Sequence, residues 1–275
     1  MSAATETAQR SAAERFLALH VPGEPLLVPN AWDIGSARLF AALGVGALAT
    51  TSSGFAASLG RLDYGVTREE AIEHDRALAS SVELPVSADL ENCFPDAPGG
   101  VGETVRLARA AGLAGCSIED WSSQQRRLLP QELASERVAE AAQAAAEGGG
   151  VLVLTARAEN HLRGNPDLDD TIARLLAYQQ AGADVLFAPG LPGIEQVREI
   201  VAAVQRPVSV LVTAALPAPR ELAAAGVARI SVGGALAFAA YAAAADALRE
   251  LQAGDAGYLA RSREAMQLLR GAFGG

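Results

Sequence analysis

The stretch LPVSADLEN, residues 84–92, sets a short apolar run directly before two acidic residues. The same arrangement recurs in GLAGCSIED, residues 112–120, and in VLVLTARAEN, residues 151–160, which also carries an arginine. If these runs are parallel strands, the charged side chains that follow them converge at one edge of the sheet. That edge is where strand–helix alternations bind their ligands. The pattern therefore predicts both a fold class and the position of a site.

Eight short apolar runs alternate with amphipathic segments of helical length along the chain. The runs are too uniformly apolar for half-exposed strands and are typical of parallel strands that are buried on both faces. Several helical segments end at a glycine shortly before the next run, which is the usual turn from helix to strand. Eight alternations in 275 residues predict a (β/α)8 TIM-type barrel. The predicted strands are 25–28, 47–50, 85–88, 115–118, 151–155, 183–187, 207–211 and 228–232, and the predicted helices are 11–19, 34–43, 68–80, 104–111, 132–146, 170–181, 194–204 and 217–225.

A doubly wound open sheet is the alternative architecture. The chain has no G-x-G-x-x-G motif after its first run and no P-loop, so this alternative is disfavoured. No linker or change of composition divides the chain, and residues 1–275 are predicted to form one domain with an N-terminal helix and extension over 1–20. The alanine-rich segment 235–247 is expected to be a helix packed in the interior rather than a membrane span.

Composition excludes several classes of function. The net charge is -10 and the arginines are scattered, so the chain lacks the clustered cations that nucleic-acid binding requires. Residues 1–15 contain no apolar signal core, and we expect the protein in the cytoplasm. Two cysteines form neither a disulfide framework nor a metal-ligand spacing. Three histidines, none grouped with a serine and an aspartate, disfavour a hydrolase triad and a His-rich zinc site.

Two acidic residues are predicted to bind a divalent cation. Asp89 and Glu119 follow neighbouring strands and would lie close enough to share one ion. Carboxylates crowded into a concave site repel one another unless a cation lies between them. A hard ion with oxygen ligands is the natural choice, which predicts Mg²⁺, or Mn²⁺ in its place.

Substrate-binding groups are predicted on either side of this cation. Arg157, one strand further round the barrel, would bind the negative end of a small substrate. Ser53, with the amides of Gly54 and Phe55, would hold a second anionic end. The last three predicted strands supply little charge, so the site is predicted to lie towards strands two to five.

Structural roles compete with these functional assignments. Asp33 directly precedes a predicted helix and is interpreted as its N-cap. Asp120 is equally consistent with a loop residue, and Glu159 with an ion-pair partner of Arg157 or Arg163. The combination of Asp89, Glu119 and Arg157 is less easily explained without a function.

Several of these segments, taken in order, resemble the isocitrate lyase/phosphoenolpyruvate mutase superfamily, in particular its 2-methylisocitrate lyase-like and phosphonomutase-like branch. Each segment is a weak signal alone, but their order and spacing over residues 25–235 are specific. The segments are PNAWD with SAR (29–33 and 36–38), SG with LG and Asp63 (53–54 and 59–60), SAD (87–89), SIED (117–120) and TAR (155–157).

The resemblance implies a barrel whose last helix is exchanged between subunits, here residues 255–273, in a homotetramer of two helix-swapped dimers. It implies Mg²⁺-dependent chemistry on small 2-oxo or 2-hydroxy carboxylates through a metal-stabilised enolate. Asp89 matches the second aspartate of the family's Asp-x-Asp metal motif, and Glu119 matches the glutamate of the metal shell. Asp63 matches an aspartate that holds metal-bound water, and Arg157 matches the substrate-binding arginine. Residues 53–55 match the loop that binds the substrate carboxylate.

Two departures from the family pattern bear on the reaction. Ser87 stands where the first aspartate of the metal motif is expected. Residues 121–127, WSSQQRR, replace a Lys-x-Cys-Gly-His loop whose cysteine is the general acid of the lyases. The preferred hypothesis is an Mg²⁺-dependent carbon–carbon lyase with residues 121–129 as a lid over the site. The alternatives are a phosphonopyruvate-type mutase or hydrolase, and a weakly active protein that binds a 2-oxo acid such as 2-oxoglutarate.

Overall fold

Parallel strands form the centre of the molecule in the computed structural model, which describes residues 3–149 and 151–274. Nine strands pair in the order β1-β11-β10-β9-β8-β5-β4-β3-β2 within these residues, and a separate hairpin joins β6 to β7. The predicted TIM-type barrel is confirmed, and every predicted run contains a strand. The strands are β1 (Leu26–Val28), β2 (Asn30–Ala31), β3 (Leu48–Thr50), β4 (Val86–Asp89), β5 (Gly115–Glu119), β6 (Trp121–Ser122), β7 (Arg127–Leu128), β8 (Val153–Arg157), β9 (Val185–Phe187), β10 (Val208–Leu211) and β11 (Arg229–Ser231).

The barrel closes through its first strand, which is split at Pro29. The half before the proline, β1, pairs with β11, and the half after it, β2, pairs with β3. Proline has no N–H to donate, so a break in the ladder is expected at this position. Asn30 joins the two sides, because its Oδ1 accepts from Ser231 Oγ at 3.0 Å and its Nδ2 donates to the Thr50 carbonyl at 2.8 Å.

Helices cover the outside of the barrel and follow the predicted alternation. Asp33 caps α2 as expected and accepts from the Ser36 amide. Thr67 and Glu70 form the reciprocal capping box that the sequence indicates. The helices are α1 (Ala3–Ala18), α2 (Ile34–Ala42), α3 (Ser52–Ser58), α4 (Arg68–Ser80), α5 (Gly100–Ala110), α6 (Gln131–Ala146), α7 (Leu168–Gln180), α8 (Ile194–Ala203), α9 (Pro219–Ala224), α10 (Ala235–Gln252) and α11 (Tyr258–Phe273).

The short helix α3 is absent from the sequence prediction, in which residues 53–55 match a substrate-binding loop. Thr51 caps it by accepting from the Gly54 amide at 3.3 Å. A Cβ on Gly54 would lie 2.6 Å from Thr51 Cγ2 and 3.2 Å from Ala237 Cβ. Glycine is therefore needed here so that α3 can pack closely against its surroundings.

The N-terminal helix α1 closes one end of the barrel. Phe16 is fully buried and packs with Ala114, Val153 and Val185, which belong to or adjoin the strands. A Cβ on Gly115 would lie 3.0 Å from the Phe16 ring, so the glycine makes room for this ring among the strands. Phe16 therefore forms an apolar plug beneath the barrel interior.

The last two helices differ from expectation in their burial. The prediction that residues 235–247 pack in the interior is wrong, because Ala237 is the one buried residue of α10 within the described chain, and Tyr241 is 45% exposed. Apolar composition alone does not specify what covers a helix. Helix α11 contacts α2 of the same chain and has no buried residue. Its exchange between subunits stays a prediction. No helix in the described part of the chain meets the length and apolarity needed to cross a bilayer.

Candidate active site

A cavity of about 180 Å³ opens at the carboxyl ends of the strands. It lies where the sequence predicted the site and is small compared with the roughly 300–1,000 Å³ of sites that hold drug-sized ligands. Small polar and charged side chains both line it. The charged residues of the wall are Asp63, Asp89, Glu119, Arg157, Arg163 and Arg229.

Asp89 ends β4 and accepts hydrogen bonds on both carboxylate oxygens. Its Oδ1 accepts from Arg157 Nη1 at 2.8 Å, and its Oδ2 accepts from the backbone amide and hydroxyl of Ser52, each at 3.1 Å. Ser52 Oγ also lies 3.0 Å from Asp63 Oδ1, so its single hydroxyl proton is shared between the two carboxylates. The first turn of α3 therefore joins two of the predicted site carboxylates.

Arg157 ends β8 and is surrounded by carboxylates. Its Nη1 pairs with Asp89, its Nη2 lies 3.2 Å from Glu119 Oε2, and its Nε and Nη2 both donate to Glu159 Oε1. The three residues Asp89, Glu119 and Arg157 are thus in contact, on one side of one cavity. The structural alternative for Glu159 is also realised, since Glu159 pairs with both Arg157 and Arg163.

Tyr64 and Arg163 cover Glu119 at the mouth of the cavity. Tyr64 donates its hydroxyl to Glu119 Oε1 at 2.5 Å and also contacts Arg163. The Arg163 guanidinium lies 4.6 Å from the centroid of the Trp121 ring, which belongs to the β6–β7 hairpin. Burial, followed by the charge of Glu159, raises the pKa of Glu119. The hairpin predicted as a lid is therefore connected to the site through Arg163.

The carboxylates at the mouth outnumber their cationic partners. Burial and the charges of Asp89 and Asp63 raise the pKa of Glu91 to about 8, and burial and the charge of Asp89 raise the pKa of Asp63. Glu91 Oε1 is buried without a hydrogen-bond partner within the described chain. Glu91 does not line the cavity but lies with Asp89 in a smaller adjoining space, so its orphaned oxygen adds negative charge behind the cavity wall. The carboxylates of the wall itself offer the hard oxygen donors that a divalent cation prefers.

The number of ligands indicates the kind of cation. Within residues 3–149 and 151–274, no three His, Cys, Asp or Glu side chains converge closely enough to form a complete metal cage. Mg²⁺ does not need such a cage, because it usually keeps several waters and takes one or two carboxylates. The donor set is therefore compatible with Mg²⁺ and lacks the nitrogen and sulfur ligands that zinc prefers.

Asp120 has a different role from its neighbour Glu119. It is buried behind the cavity, where it accepts from Tyr178 Oη at 2.6 Å, from Arg174 Nη1 at 3.0 Å and from the Glu159 amide at 2.8 Å. These bonds hold the turn after β8 in place and anchor it to α7. Asp120 is thus neither a free loop residue nor part of the cavity wall, but it positions Glu159.

Two predicted substrate-binding residues lie outside the cavity wall. Ser53 lines the cavity, whereas Gly54 and Phe55 do not. The Gly54 amide donates to Thr51 Oγ1 and the Phe55 amide donates to the Thr51 carbonyl, so both are used within α3. The Phe55 ring stacks on His74 at 3.8 Å between centroids. This differs from the sequence prediction because residues 53–55 are helical rather than an open loop.

Arg229 is the cavity residue that sequence reasoning missed. It lies on β11 and is buried, and the expectation that the last three strands add little charge is wrong. A signal was present, since Arg229 interrupts an apolar run, ARISV, that was otherwise predicted as a buried strand. A charged residue within such a run has to face either the helices or the barrel interior.

Comparison with known proteins assigns the fold and site to a class. Residues 16–252 match the model of the phosphoenolpyruvate phosphomutase family. A solved structure from Burkholderia cenocepacia J2315, provisionally assigned as a lyase or mutase, is 48% identical, with a TM-score of 0.85 over 90% of this chain and 89% of that one. An uncharacterized protein of Mycobacterium tuberculosis H37Rv is 34% identical over 87% of this chain and 90% of its own.

A further relative has a named reaction. The 2-methylisocitrate lyase of Halalkalibacterium halodurans is 31% identical over 72% of this chain and 67% of its own length. The barrel and its acidic mouth therefore define an enzyme of the isocitrate lyase/phosphoenolpyruvate mutase superfamily, which confirms the resemblance seen in the sequence. The chain belongs to the phosphoenolpyruvate phosphomutase family.

Proposed function

We propose that the protein is an Mg²⁺-dependent lyase that cleaves a carbon–carbon bond in a small 2-oxo or 2-hydroxy dicarboxylate. The observation that carries this proposal is that Arg157 contacts both Asp89 and Glu119 on the wall of one small cavity. Similarity to a 2-methylisocitrate lyase supports carbon–carbon cleavage rather than another reaction.

Asp89 and Glu119 would hold the cation, and Asp63 would bind a water of its shell. Mn²⁺ would serve in place of Mg²⁺, since both prefer oxygen ligands. When bound, the ion would act as a Lewis acid that polarises the 2-oxo or 2-hydroxy oxygen and stabilises the charge that develops as the bond breaks. Ser87, which stands where the metal motif has its first aspartate, lines the cavity and would offer a hydroxyl there, whereas Glu91 lies outside the cavity wall.

Arg157 and Ser53 would position the substrate. Arg157 already spans Asp89, Glu119 and Glu159, so it fixes the spacing of these carboxylates as well as facing the cavity. Ser53 presents its hydroxyl to the cavity from the first turn of α3. The β6–β7 hairpin, held to the site by Arg163, would exclude water during the reaction.

The test is turnover by purified protein with and without Mg²⁺. We expect pyruvate release from oxaloacetate, or cleavage of another member of this class, to require the ion. Asp89→Asn should lower the rate by at least about 100-fold, because a charge-stabilising interaction at the reacting atoms is lost. Asp169→Asn is the matched control, since Asp169 is exposed on α7. Equal activity of Asp89→Asn and the control would contradict the proposal.

Phosphonate chemistry is the second candidate, and the family match favours it. A phosphonopyruvate-like acid has the same two anionic ends as a dicarboxylate and would use the same residues. Phosphate release from phosphonopyruvate, assayed in parallel with pyruvate release from oxaloacetate, separates the two reactions. Binding of a 2-oxo acid without turnover of either substrate would support the third possibility, a binding protein without an acid catalyst in residues 121–127.

A further inference from the structure

Arg229 is a buried cation without a counter-ion. The side chains of β11 alternate, so that Ile230 packs in the outer core while Arg229 and Ser231 face the cavity. Arg229 Nη1 lies 3.3 Å from Thr155 Oγ1, and its Nε is buried without a hydrogen-bond partner in the described residues. No carboxylate of the described chain forms a salt bridge with it, although it lines a cavity rich in carboxylates.

The protein groups that contact the Arg229 guanidinium do not balance its charge. The Arg229 guanidinium lies 5.6 Å from the centroid of the Phe16 ring, which closes the barrel beneath it. A cation–π contact of this length and one neutral hydroxyl are weak substitutes for a carboxylate. Burial and the nearby charge of Arg157 lower the pKa of Arg229 to about 10, which reflects the same missing partner.

The other arginines of the cavity wall are already neutralised. Arg157 pairs with three carboxylates, and Arg163 pairs with Glu159. An anion that enters the cavity therefore meets a free donor at Arg229, which lies beside Thr155 and so one inward position deeper along β8 than Arg157. Ser209, its neighbour in register on β10, has a buried hydroxyl that also lacks a partner within the described chain.

We propose that Arg229 is a substrate-binding residue that receives the carboxylate at the far end of a small dicarboxylate, with its other end held at the mouth. This inference rests on the function proposed above and assigns a binding residue to the second carboxylate of its substrate. The cavity of about 180 Å³ has room for a short chain only. A monocarboxylic acid of the same length would leave Arg229 buried and unpaired, so the site would reject it.

The experiment compares two ligands that differ in one group. (S)-Malate carries a carboxylate where (S)-2-hydroxybutyrate carries a methyl group, and calorimetry with Mg²⁺ present gives both dissociation constants. Wild-type protein should prefer malate by about 10- to 100-fold, the usual effect of a hydrogen bond to a charged group. In Arg229→Met and Arg229→Gln this preference should fall to about one. Arg220→Met, which removes an exposed arginine of α9, should keep it.

A second readout uses the wild-type protein alone. Burial and the charge of Arg229 lower the pKa of His20 to about 4. Malate bound at Arg229 would neutralise that charge and raise the pKa of His20, as seen by NMR, whereas 2-hydroxybutyrate would not. A wild-type protein without preference for malate, or Arg229 variants that retain the full preference, would overturn the inference. An unchanged His20 pKa in the malate complex would overturn it even if no variant folds.

Turnover assays distinguish this inference from the proposed function. If wild-type protein cleaves no acid of the class but shows an Arg229-dependent preference for malate, then the lyase assignment fails and the binding role stands. If the protein cleaves a dicarboxylate and Arg229→Met has the wild-type KM and the wild-type ligand preference, then the lyase assignment stands and the binding role fails.

Discussion

The two arginines of the cavity differ in their counter-ions at its mouth, formed by Asp89, Glu119 and Arg157, and at its floor, formed by Arg229 and Thr155. At the mouth, Arg157 makes charge-assisted hydrogen bonds to Asp89 and Glu159 and lies 3.2 Å from Glu119. At the floor, Arg229 has a threonine hydroxyl and an aromatic ring but no counter-ion in the described chain. The first arrangement is stable without a ligand, whereas the second is completed by one. Charge balance thus separates Arg157, which holds the carboxylates of the site together in addition to its proposed contact with substrate, from Arg229, whose charge only a ligand would balance.

The excess charge has opposite signs at the two levels. Around the mouth, burial and the charge of Asp89 raise the pKa of Asp63, and burial with the charges of Asp89 and Asp63 raises the pKa of Glu91, which favours a cation. At the floor, the unpaired guanidinium favours an anion. In a complex of a divalent cation with a dicarboxylic acid, the cation would face the carboxylates of the mouth and the free carboxylate would face Arg229. The comparison therefore supports a single ligand that spans the two levels.

Removal of the arginine at the mouth should have the largest effect on stability. Arg157→Met leaves buried carboxylates without their partner, which costs about 3–5 kcal/mol when one member of a buried ion pair is lost. Urea denaturation of the variant beside Arg220→Met measures this difference, and the exposed control should stay within about 0.5 kcal/mol of wild type. A loss below about 1 kcal/mol in Arg157→Met would mean that the mouth is not held together by this residue.

The free energy of unfolding should depend on pH through His20, which lies near Arg229 at the floor of the cavity. The pKa of His20 is about 4 in the folded protein, because of burial and the charge of Arg229, against 6.5 for the free side chain. A depressed histidine pKa adds stability above pH 6.5, which is lost as the pH falls from 6.5 towards 4. The loss at low pH amounts to about 3 kcal/mol at most.

Replacement of the histidine isolates this contribution. His20→Gln cannot titrate, so its free energy of unfolding should fall less between pH 6.5 and 4 than that of wild type. Urea denaturation at several pH values gives both curves. Parallel curves for the two proteins would show that the environment of His20 does not oppose its protonation. They would contradict the presence of an unbalanced positive charge on Arg229 near His20.

Removal of the floor arginine should have the smallest effect on stability. Arg229→Met deletes a buried cation that lacks a counter-ion, and the long methionine side chain can still pack on Phe16. Relief of desolvation offsets the lost contacts, so the free energy of unfolding should change by about 1 kcal/mol or less. Destabilisation as large as that of Arg157→Met would remove the distinction between mouth and floor.

The sequence predicts the barrel well because its signals are local. Each apolar run contains a strand, and Gly44, Gly112, Gly182 and Gly226 adopt positive φ as expected between helix and strand. The convergence of Asp89, Glu119 and Arg157 followed from the rule that parallel strands end together. These conclusions depend on local sequence patterns and not on contacts between distant elements.

The errors in the sequence prediction all concern contacts between elements that are distant along the chain. Helix α3 carries no apolar periodicity, so its cap at Thr51 and the internal bonds of Gly54 became visible in three dimensions only. The burial of α10 depends on what covers it, and the apolar composition of a helix does not encode that. Arg229 is not predicted as a site residue because the run around it is apolar and predicts only a buried strand. The structure shows that its side chain faces the cavity and that its Nε is buried without a hydrogen-bond partner in the described residues.

The most direct test is a crystal structure of the protein with Mn²⁺ and (S)-malate, with diffraction measured at the manganese absorption edge. The account predicts one anomalous peak beside Asp89 and Glu119, with the far carboxylate of malate within hydrogen-bond distance of the Arg229 guanidinium. A manganese ion bound elsewhere, or a malate that leaves Arg229 without a partner, would contradict the account.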